Sequence, residues 1–429
     1  MTNSSKQLIK GVVVLAMILF LLIPAILVTS IVRERKDRKV DVINAVAKNW
    51  ATAQTVSAPY IVMPTNNVKL NQDKEQFYLQ AADNTIDTKI DMKNVNRTIF
   101  VIPTYNSVQK MEGSFTPADY DKLLATATQI NLDKASLCIN ITDVKGIAES
   151  PTITVNNKSY PLISTVINNG NQQVLSIALA LLAWDKLTPL NYTINLKLRG
   201  TESLQYLPTA AFNKISISSN CKDPSFTGNF ITEDKTITDT NFVANWTISN
   251  IQTSVATVAT ALPNIENIKF GVTLTNGVDS YVKTERTSKY AILFIALTFA
   301  LFYLIELVKG TALHPIQYML IGVALIVFYT LLLSISEILG FNFAYLIASA
   351  ATITLITMYA KQAMQSIKNA LAVGGVLTIL YGYIFWILQL EDVALLMGSI
   401  GLFIIIAIAM KFSNKINHQA TPTALPNNN

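Results

Sequence analysis

Residues 11–32 run without a charged side chain. At about 1.5 Å of rise per residue, such a stretch crosses the roughly 30 Å hydrocarbon core as one helix. No small-residue cleavage site closes it, so the pattern predicts an uncleaved anchor and not a secretory leader. A second apolar block divides at its charges and turn residues into five further spans, 290–308, 316–335, 342–360, 370–390 and 393–410. Between the two blocks the period changes to two. Tyr192, Ile194, Leu196 and Leu198 alternate with Asn191, Thr193, Asn195 and Lys197, and Ile268, Phe270, Val272 and Leu274 repeat the pattern. Such alternation describes half-buried strands. Residues 98–102, 137–142, 152–155, 214–218 and 242–248 are further candidates, separated by Asn, Asp, Gly and Pro turns. Several short strands at this spacing favour an antiparallel sandwich or open barrel.

The predicted fold is therefore a membrane protein with six transmembrane α-helices, one N-terminal and five C-terminal, and a large β-rich, sandwich-like periplasmic domain. Its parts are an N-terminus (1–10), a first transmembrane helix (11–32), the β-rich domain (33–289), a five-helix transmembrane domain (290–410) and a polar tail (411–429).

Composition localises the contrast. Only 14% of the 429 residues are charged, against about 25% in soluble domains. The deficit sits in 290–410, whose charges are Glu306, Lys309, Glu337, Lys361, Lys368, Glu391 and Asp392. A single soluble globule, a disordered chain and a disulfide scaffold are excluded. Lys309, Lys361, Lys368, Lys411 and Lys415 all fall on one side of the predicted bilayer, while the two intervening joints hold only acids. Because cytoplasmic joints are the lysine-rich ones, both termini are expected in the cytoplasm and the large loop in the periplasm.

One cluster argues the other way: Arg33, Arg35, Lys36, Arg38 and Lys39 follow the first span directly. The rule weakens for long loops, which translocate largely regardless of charge. Val40, Ile43, Ala47 and Trp50 then recur at helical spacing. Two readings stand: a short helix on the outer membrane surface with those five bases on lipid headgroups, or a solvated domain start diluted by Glu34 and Asp37.

Candidate chemistry is sparse. The histidines are His314 and His418, both outside 33–289, which leaves the β-rich domain without a Ser-His-Asp triad or a His-rich metal site. Ser107 and Lys110 match a Ser-x-x-Lys pattern without its companion elements. No Gly-rich phosphate loop or dinucleotide fingerprint occurs. No cofactor, nucleic acid partner or catalytic residue is expected. Cys138 and Cys221 are either a pair or two lone thiols. Asn140, Asn191 and Asn245 head glycosylation-type tripeptides inside predicted strands, which a sequence rich in Asn, Thr and Ile produces by composition.

An ionisable residue within a span is a functional candidate by default. Glu306 is the one instance, near a span end, where it can meet Lys309 or the interface, or handle a proton or ion. His314 and Pro315 open the third span with Gln317 and Tyr318 in its first turn, a helix-start pattern. Glu337 ends that span and is read as solvated at the bilayer face.

Residues 284–293, including Arg286 and Lys289, with Ala296, Leu297, Thr298, Phe299 and Glu306, resemble the start of the membrane domain of the CreD family of bacterial inner-membrane proteins. So do residues 313–318 with His314, Pro315, Gln317 and Tyr318, and residues 328–337 ending at Glu337. Pro224, Phe226 and Gly228 with residues 242–246 resemble that family's soluble-domain motif, and residues 59–64 and 143–147 also fit. The resemblance implies a cell envelope integrity or colicin tolerance protein with no known catalytic activity, controlled in some bacteria by a two-component system.

The leading expectation is a non-enzymatic envelope protein whose partners are the lipid bilayer and an unidentified periplasmic or membrane protein or envelope ligand. The alternatives are a transporter or lipid-handling protein, and a membrane enzyme acting on lipid or peptidoglycan precursors.

Overall fold

The structure, a computed structural model, describes residues 3–64, 76–126, 130–167, 172–184, 187–262, 265–275, 280–309, 313–390, 396–401, 403, 407 and 410. The chain forms two compact units, Met1–Arg38 with Val278–Asn429, and Lys39–Gly277. The first is helical and the second is β-rich.

Helix α1 spans Asn3–Asn49, 47 residues with Pro24 inside. The first span was expected to end at residue 32, followed by either a solvated domain start or a separate surface helix carrying Val40, Ile43, Ala47 and Trp50. Instead, the helix continues unbroken to Asn49. The reason is local: residues 33–49 contain neither Gly nor Pro, and Arg38 pairs with Glu34 one turn back at 3.6 Å. The β-rich unit contributes three short helices, α2 (Pro117–Thr126), α3 (Asn250–Thr253) and α4 (Ile265–Ile268). The helical unit resumes with α5 (Ser280–Lys289), α6 (Ala291–Lys309), α7 (Pro315–Leu339), α8 (Phe341–Met364) and α9 (Ile367–Gln389).

Among the described residues, four helices are long and apolar enough to cross a membrane: α1, α7, α8 and α9. Helix α6 adds a shorter apolar stretch, Ala291–Tyr303. The sixth expected span lies largely outside the described residues, and the tail 411–429 wholly so.

The helices pack through one apolar cluster that includes Leu21, Ala25 and Val28 of α1 with Phe294, Phe299, Phe328, Tyr329, Leu377 and Tyr381. Rings of Phe294 and Tyr381 lie 4.6 Å apart, those of Phe328 and Tyr381 4.9 Å, the tilted geometry that aromatic quadrupoles prefer. Gly322 of α7 admits α1: a Cβ there would stand 2.1 Å from Leu21 Cδ1. Small residues at such crossings let helices approach where lipid supplies no hydrophobic drive.

The β-rich unit has eighteen strands among the described residues. They are β1 (Gln54–Ser57), β2 (Tyr60–Pro64), β3 (Gln76–Gln80), β4 (Asp83–Arg97), β5 (Phe100–Phe115), β6 (Ser136–Asn140), β7 (Thr152–Val155), β8 (Lys158–Pro161) and β9 (Ile163–Ile167). Then come β10 (Gln172–Ala178), β11 (Leu190–Thr201), β12 (Ser203–Leu207), β13 (Phe212–Ser219), β14 (Asp223–Gly228), β15 (Asp234–Ile237), β16 (Phe242–Ser249), β17 (Val258–Ala259) and β18 (Phe270–Thr275).

An antiparallel sandwich or open barrel was expected; the described strands form three sheets. Their orders are β15-β16-β13-β4-β5-β11-β7-β8, β17-β3-β2-β6-β10-β9 and β1-β12-β18-β14. Two pairs, β13 with β4 and β1 with β12, are parallel. One core cluster draws on all three, for example Ile86, Ile194 and Trp246 from the first, Ile61, Leu79 and Leu137 from the second and Leu204, Phe270 and Val272 from the third. The alternation predicted for β11 is observed, with Tyr192, Ile194, Leu196 and Leu198 buried and the residues between them facing out. In contrast, Ile268 belongs to α4, and the last strand begins at Phe270.

Cys138 and Cys221 are both buried and form no disulfide. Cys138 was expected on a polar strand face, yet it packs with Tyr60, Val62, Tyr78 and Val174 in a second apolar cluster. Burial pushes its thiol up to about 12.

Candidate functional site

The polar residues of the helical unit collect in two groups on α1, separated by the 23 residues from Lys10 to Arg33, roughly 35 Å of helix. They therefore occupy opposite ends of an apolar span.

At the first end, Lys10 of α1 makes an ion pair with Glu306 of α6, and the Tyr318 hydroxyl of α7 donates to Glu306 Oε2 at 3.1 Å. One carboxylate thus binds three helices. Glu306 was expected to reach the interface or meet Lys309, i+3 on its own helix, whose side chain lies outside the described residues; its described partners come from α1 and α7. Tyr318 is placed by the start of α7. His314 is the N-cap, its Nδ1 accepting from the Ile316 amide at 3.3 Å, and Gln317 Oε1 accepts from the His314 amide at 2.9 Å. Pro315 follows at the first helical position. Each feature satisfies or removes an orphan helix donor.

At the other end, Glu285 of α5 receives Arg33 at 3.5 Å, Lys36 at 3.6 Å and Lys289 at 3.3 Å. Burial pushes the Glu285 carboxyl up, but the Lys289 hydrogen bond and the charges of Lys289, Lys36 and Arg33 outweigh it and hold the carboxyl below its ordinary range. Glu337, expected to be solvated, accepts the Tyr281 hydroxyl at 3.0 Å and lies 3.9 Å from Arg35. Its side chain is 13% exposed. Thr284, Thr287 and Ser288 bury their hydroxyls by returning them to α5 carbonyls. The bases expected on lipid headgroups are therefore occupied: Arg33 and Lys36 by Glu285, Arg35 by Glu337 and Arg38 by Glu34. Lys39 also has a partner.

Chemically, both groups are ion-pair clamps, the second with more cations than carboxylates. The carboxylates sit at opposite ends of a span, each saturated by cations or hydroxyls, with no intervening acid or base between them in α1, α6 or α7 among the described residues. Among those residues no cluster of His, Cys, Asp and Glu is arranged to hold a metal.

In the β-rich unit, Pro224, Phe226 and Gly228 lie on β14, an outer strand of the four-stranded sheet. Phe226 stacks edge-on with Phe242 and Trp246 at 5.6 and 5.9 Å. Gly228 has φ +108°, and a Cβ there would meet Lys269 O at 2.3 Å. This motif builds the core and its edge. A cleft of about 550 Å³ opens beside the middle of β4, the end of β13 and the start of β16, lined in part by Lys89, Asp91, Asn220, Thr236, Thr240 and Asn241. Sequence reasoning missed it because its walls come from segments more than 100 residues apart. The one local signal was the hydroxyl-rich run 236–241.

The model of the family described as "Inner membrane protein CreD" matches residues 6–419 of this chain. The chain belongs to the CreD family of inner membrane proteins. Inner membrane protein CreD of Escherichia coli is 29% identical over 422 residues, covering 94% of this chain and 92% of the relative. A solved M1 zinc metallopeptidase from Deinococcus radiodurans is 8% identical over 39% of each chain with a TM-score of 0.19, too slight a likeness to carry an argument. The segments that carry the CreD resemblance are those that build the two clamps: 284–293 supplies Glu285 and Lys289, 313–318 supplies the α7 cap and Tyr318, and 328–337 supplies Glu337. Lys10 and Tyr281 were missed, since neither lies in an apolar span and pairing across helices leaves no spacing to read.

Proposed function

We propose that this chain is a non-enzymatic cell envelope integrity protein. It has six membrane spans and cytoplasmic termini, and its β-rich domain lies in the periplasm, binds an envelope partner or ligand and passes that event to the helices. The observation that carries this reading is the Glu285 clamp. The chain leaves the helical unit through α1 and returns through α5, and Glu285 joins those two passages through Arg33 and Lys36. Displacement of one passage relative to the other must stretch these ion pairs, so the clamp is positioned to sense what the β-rich domain binds. It also supports the topology: the bases that argue against export of the loop face carboxylates of their own bundle.

The hydroxyl- and amide-lined cleft beside β4, β13 and β16 is the region of the β-rich domain best suited to a polar ligand. The test is a deletion strain compared with its parent for sensitivity to detergent, β-lactams and colicins, complemented by wild type and by Glu285→Gln. A deletion phenotype rescued by wild type and not by the variant is expected. Unchanged sensitivity of the deletion strain across the panel would sink the integrity role. Single cysteines placed in the β-rich domain should react with a membrane-impermeant maleimide on intact spheroplasts, and protection there would overturn the topology.

A further inference from the structure

Helix α5 carries a second pair of bases, Lys283 and Arg286, one turn apart on the same side of the helix. Both are half-buried, and among the described residues no carboxylate lies within ion-pair distance of either. Lys283 instead donates to Gln389 Oε1 at the end of α9, at 2.9 Å, and lies 5.9 Å over the Phe341 ring. Gln389 Nε2 in turn donates to Asn342 Oδ1 at the start of α8, at 2.9 Å.

The surface changes character from this point along both helices. Leu346 lies one turn beyond Asn342, and Trp386 one turn before Gln389, which places each on the same helix face as its amide. They are 67% and 51% exposed. From one end to the other the face reads cation, amide, then indole and alkyl. That is the order in which a bilayer presents phosphate, glycerol and acyl chain, with Trp at the interface.

We propose that Lys283 and Arg286, with Gln389 and Asn342 beneath them, bind the phosphate headgroup of an anionic glycerophospholipid whose acyl chains lie along Leu346 and Trp386. Charge complementarity selects this occupant. Two cations that meet no carboxylate among the described residues, at the rim of an apolar face, attract a fixed anion, and Arg matches phosphate with a planar donor fork. The five bases after residue 32 were the obvious lipid contacts by sequence, and their carboxylate and other partners leave this pair as the anion site. The proposal rests on the membrane setting of α8 and α9, and on the proposed topology only for which leaflet supplies the lipid.

The full-length protein in neutral detergent is mixed with phosphatidylglycerol or phosphatidylcholine, and retained lipid is counted by native mass spectrometry. Wild type should retain phosphatidylglycerol in preference to phosphatidylcholine. The Lys283→Gln/Arg286→Gln double variant should lose that preference by about 25-fold, since each base near a lipid surface contributes about fivefold. Lys283→Arg/Arg286→Lys should keep it, which separates lost charge from lost fold. An undiminished preference in the Gln/Gln variant overturns the proposal, as does loss of preference in the charge-conserving variant or displacement of the lipid by millimolar inorganic phosphate. Failure of the envelope phenotype leaves this measurement untouched, so the two readings fail separately.

Discussion

Lys10→Met tests the energetic role of the Glu306 clamp most sharply. Glu306 is buried, with 10% of its side chain exposed, and Lys10 is 23% exposed. The Tyr318 hydroxyl is the remaining partner. Removing Lys10 leaves a carboxylate with one neutral donor in a mostly apolar setting. Breaking a fully buried pair costs about 3–5 kcal/mol; discounting for the exposed edge of Lys10 gives about 2–3. Glu306→Gln should cost less, about 1–2 kcal/mol, because the amide oxygen still accepts from Tyr318 and the charge left behind, the Lys10 ammonium, is the more exposed of the pair. The double variant Lys10→Met/Glu306→Gln should cost about as much as Lys10→Met alone and not the sum of the two losses, a coupling energy on the order of 1–2 kcal/mol, since it removes both ions together. The assay is a double-mutant cycle on purified protein in detergent, following loss of helicity with added SDS. Additive losses, with coupling below about 0.5 kcal/mol, would show that the pair is incidental and Tyr318 alone holds the carboxylate.

Four further outcomes are expected. The stabilisation lost in Glu285→Gln should be the same at pH 7 and pH 5, because a carboxyl held below its ordinary 4.5 contributes fully above that value and loses its contribution only as pH falls through the lowered one; thermal scans at pH 7, 5 and 3.5 check it, and a loss already smaller at pH 5 refutes it. Added salt should shrink the same difference, since Arg33 and Lys289 are 62% and 58% exposed and screened by solvent ions. Gly322→Leu should displace α1, because even a Cβ at that site would stand 2.1 Å from Leu21; reduced crosslinking between cysteines introduced at Met17 and Met319 reads it out, and unchanged crosslinking would count against that crossing. Cys138, with its thiol pushed up to about 12, carries a thiolate fraction on the order of 1 in 10,000 at pH 8, so maleimide labelling should wait for unfolding; rapid labelling of the native protein would contradict its burial.

Much of the helical unit was legible from residues alone. The uncharged stretches beginning at Gly11, Pro315, Phe341 and Ala370 need only length and the cost of bare backbone in lipid to become helices. His314, Pro315 and Gln317 carry a helix start in four consecutive positions. β11 announced itself through strict alternation. The places where reading failed share a cause. Nothing in residues 33–49 says that α1 should stop or continue except the lack of a breaker. Ile268 continued an apolar alternation that the chain uses for a helical turn. Cys138 looked half-polar because the residues two positions away on its strand face, Ser136 and Asn140, are polar, whereas Tyr60 and Val174 from neighbouring strands cover it.

The candidate site divides in the same way. Local sequence determined that Glu306, Glu285 and Glu337 lie near the ends of apolar segments, since a carboxylate is too costly for the middle of a bilayer. It also determined that the tract after residue 32 is basic. Tertiary structure decided which cation meets which anion: Lys10 reaches Glu306 across 296 positions, and Arg33 reaches Glu285 across 252. It thereby decided that Arg33, Arg35, Lys36 and Arg38 meet carboxylates, while among the described residues Lys283 and Arg286 do not. Periodicity and propensity act over a turn or two and are written into neighbouring residues. Charge pairing acts over a few ångströms of space, and only the packed helices determine which residues those few ångströms contain.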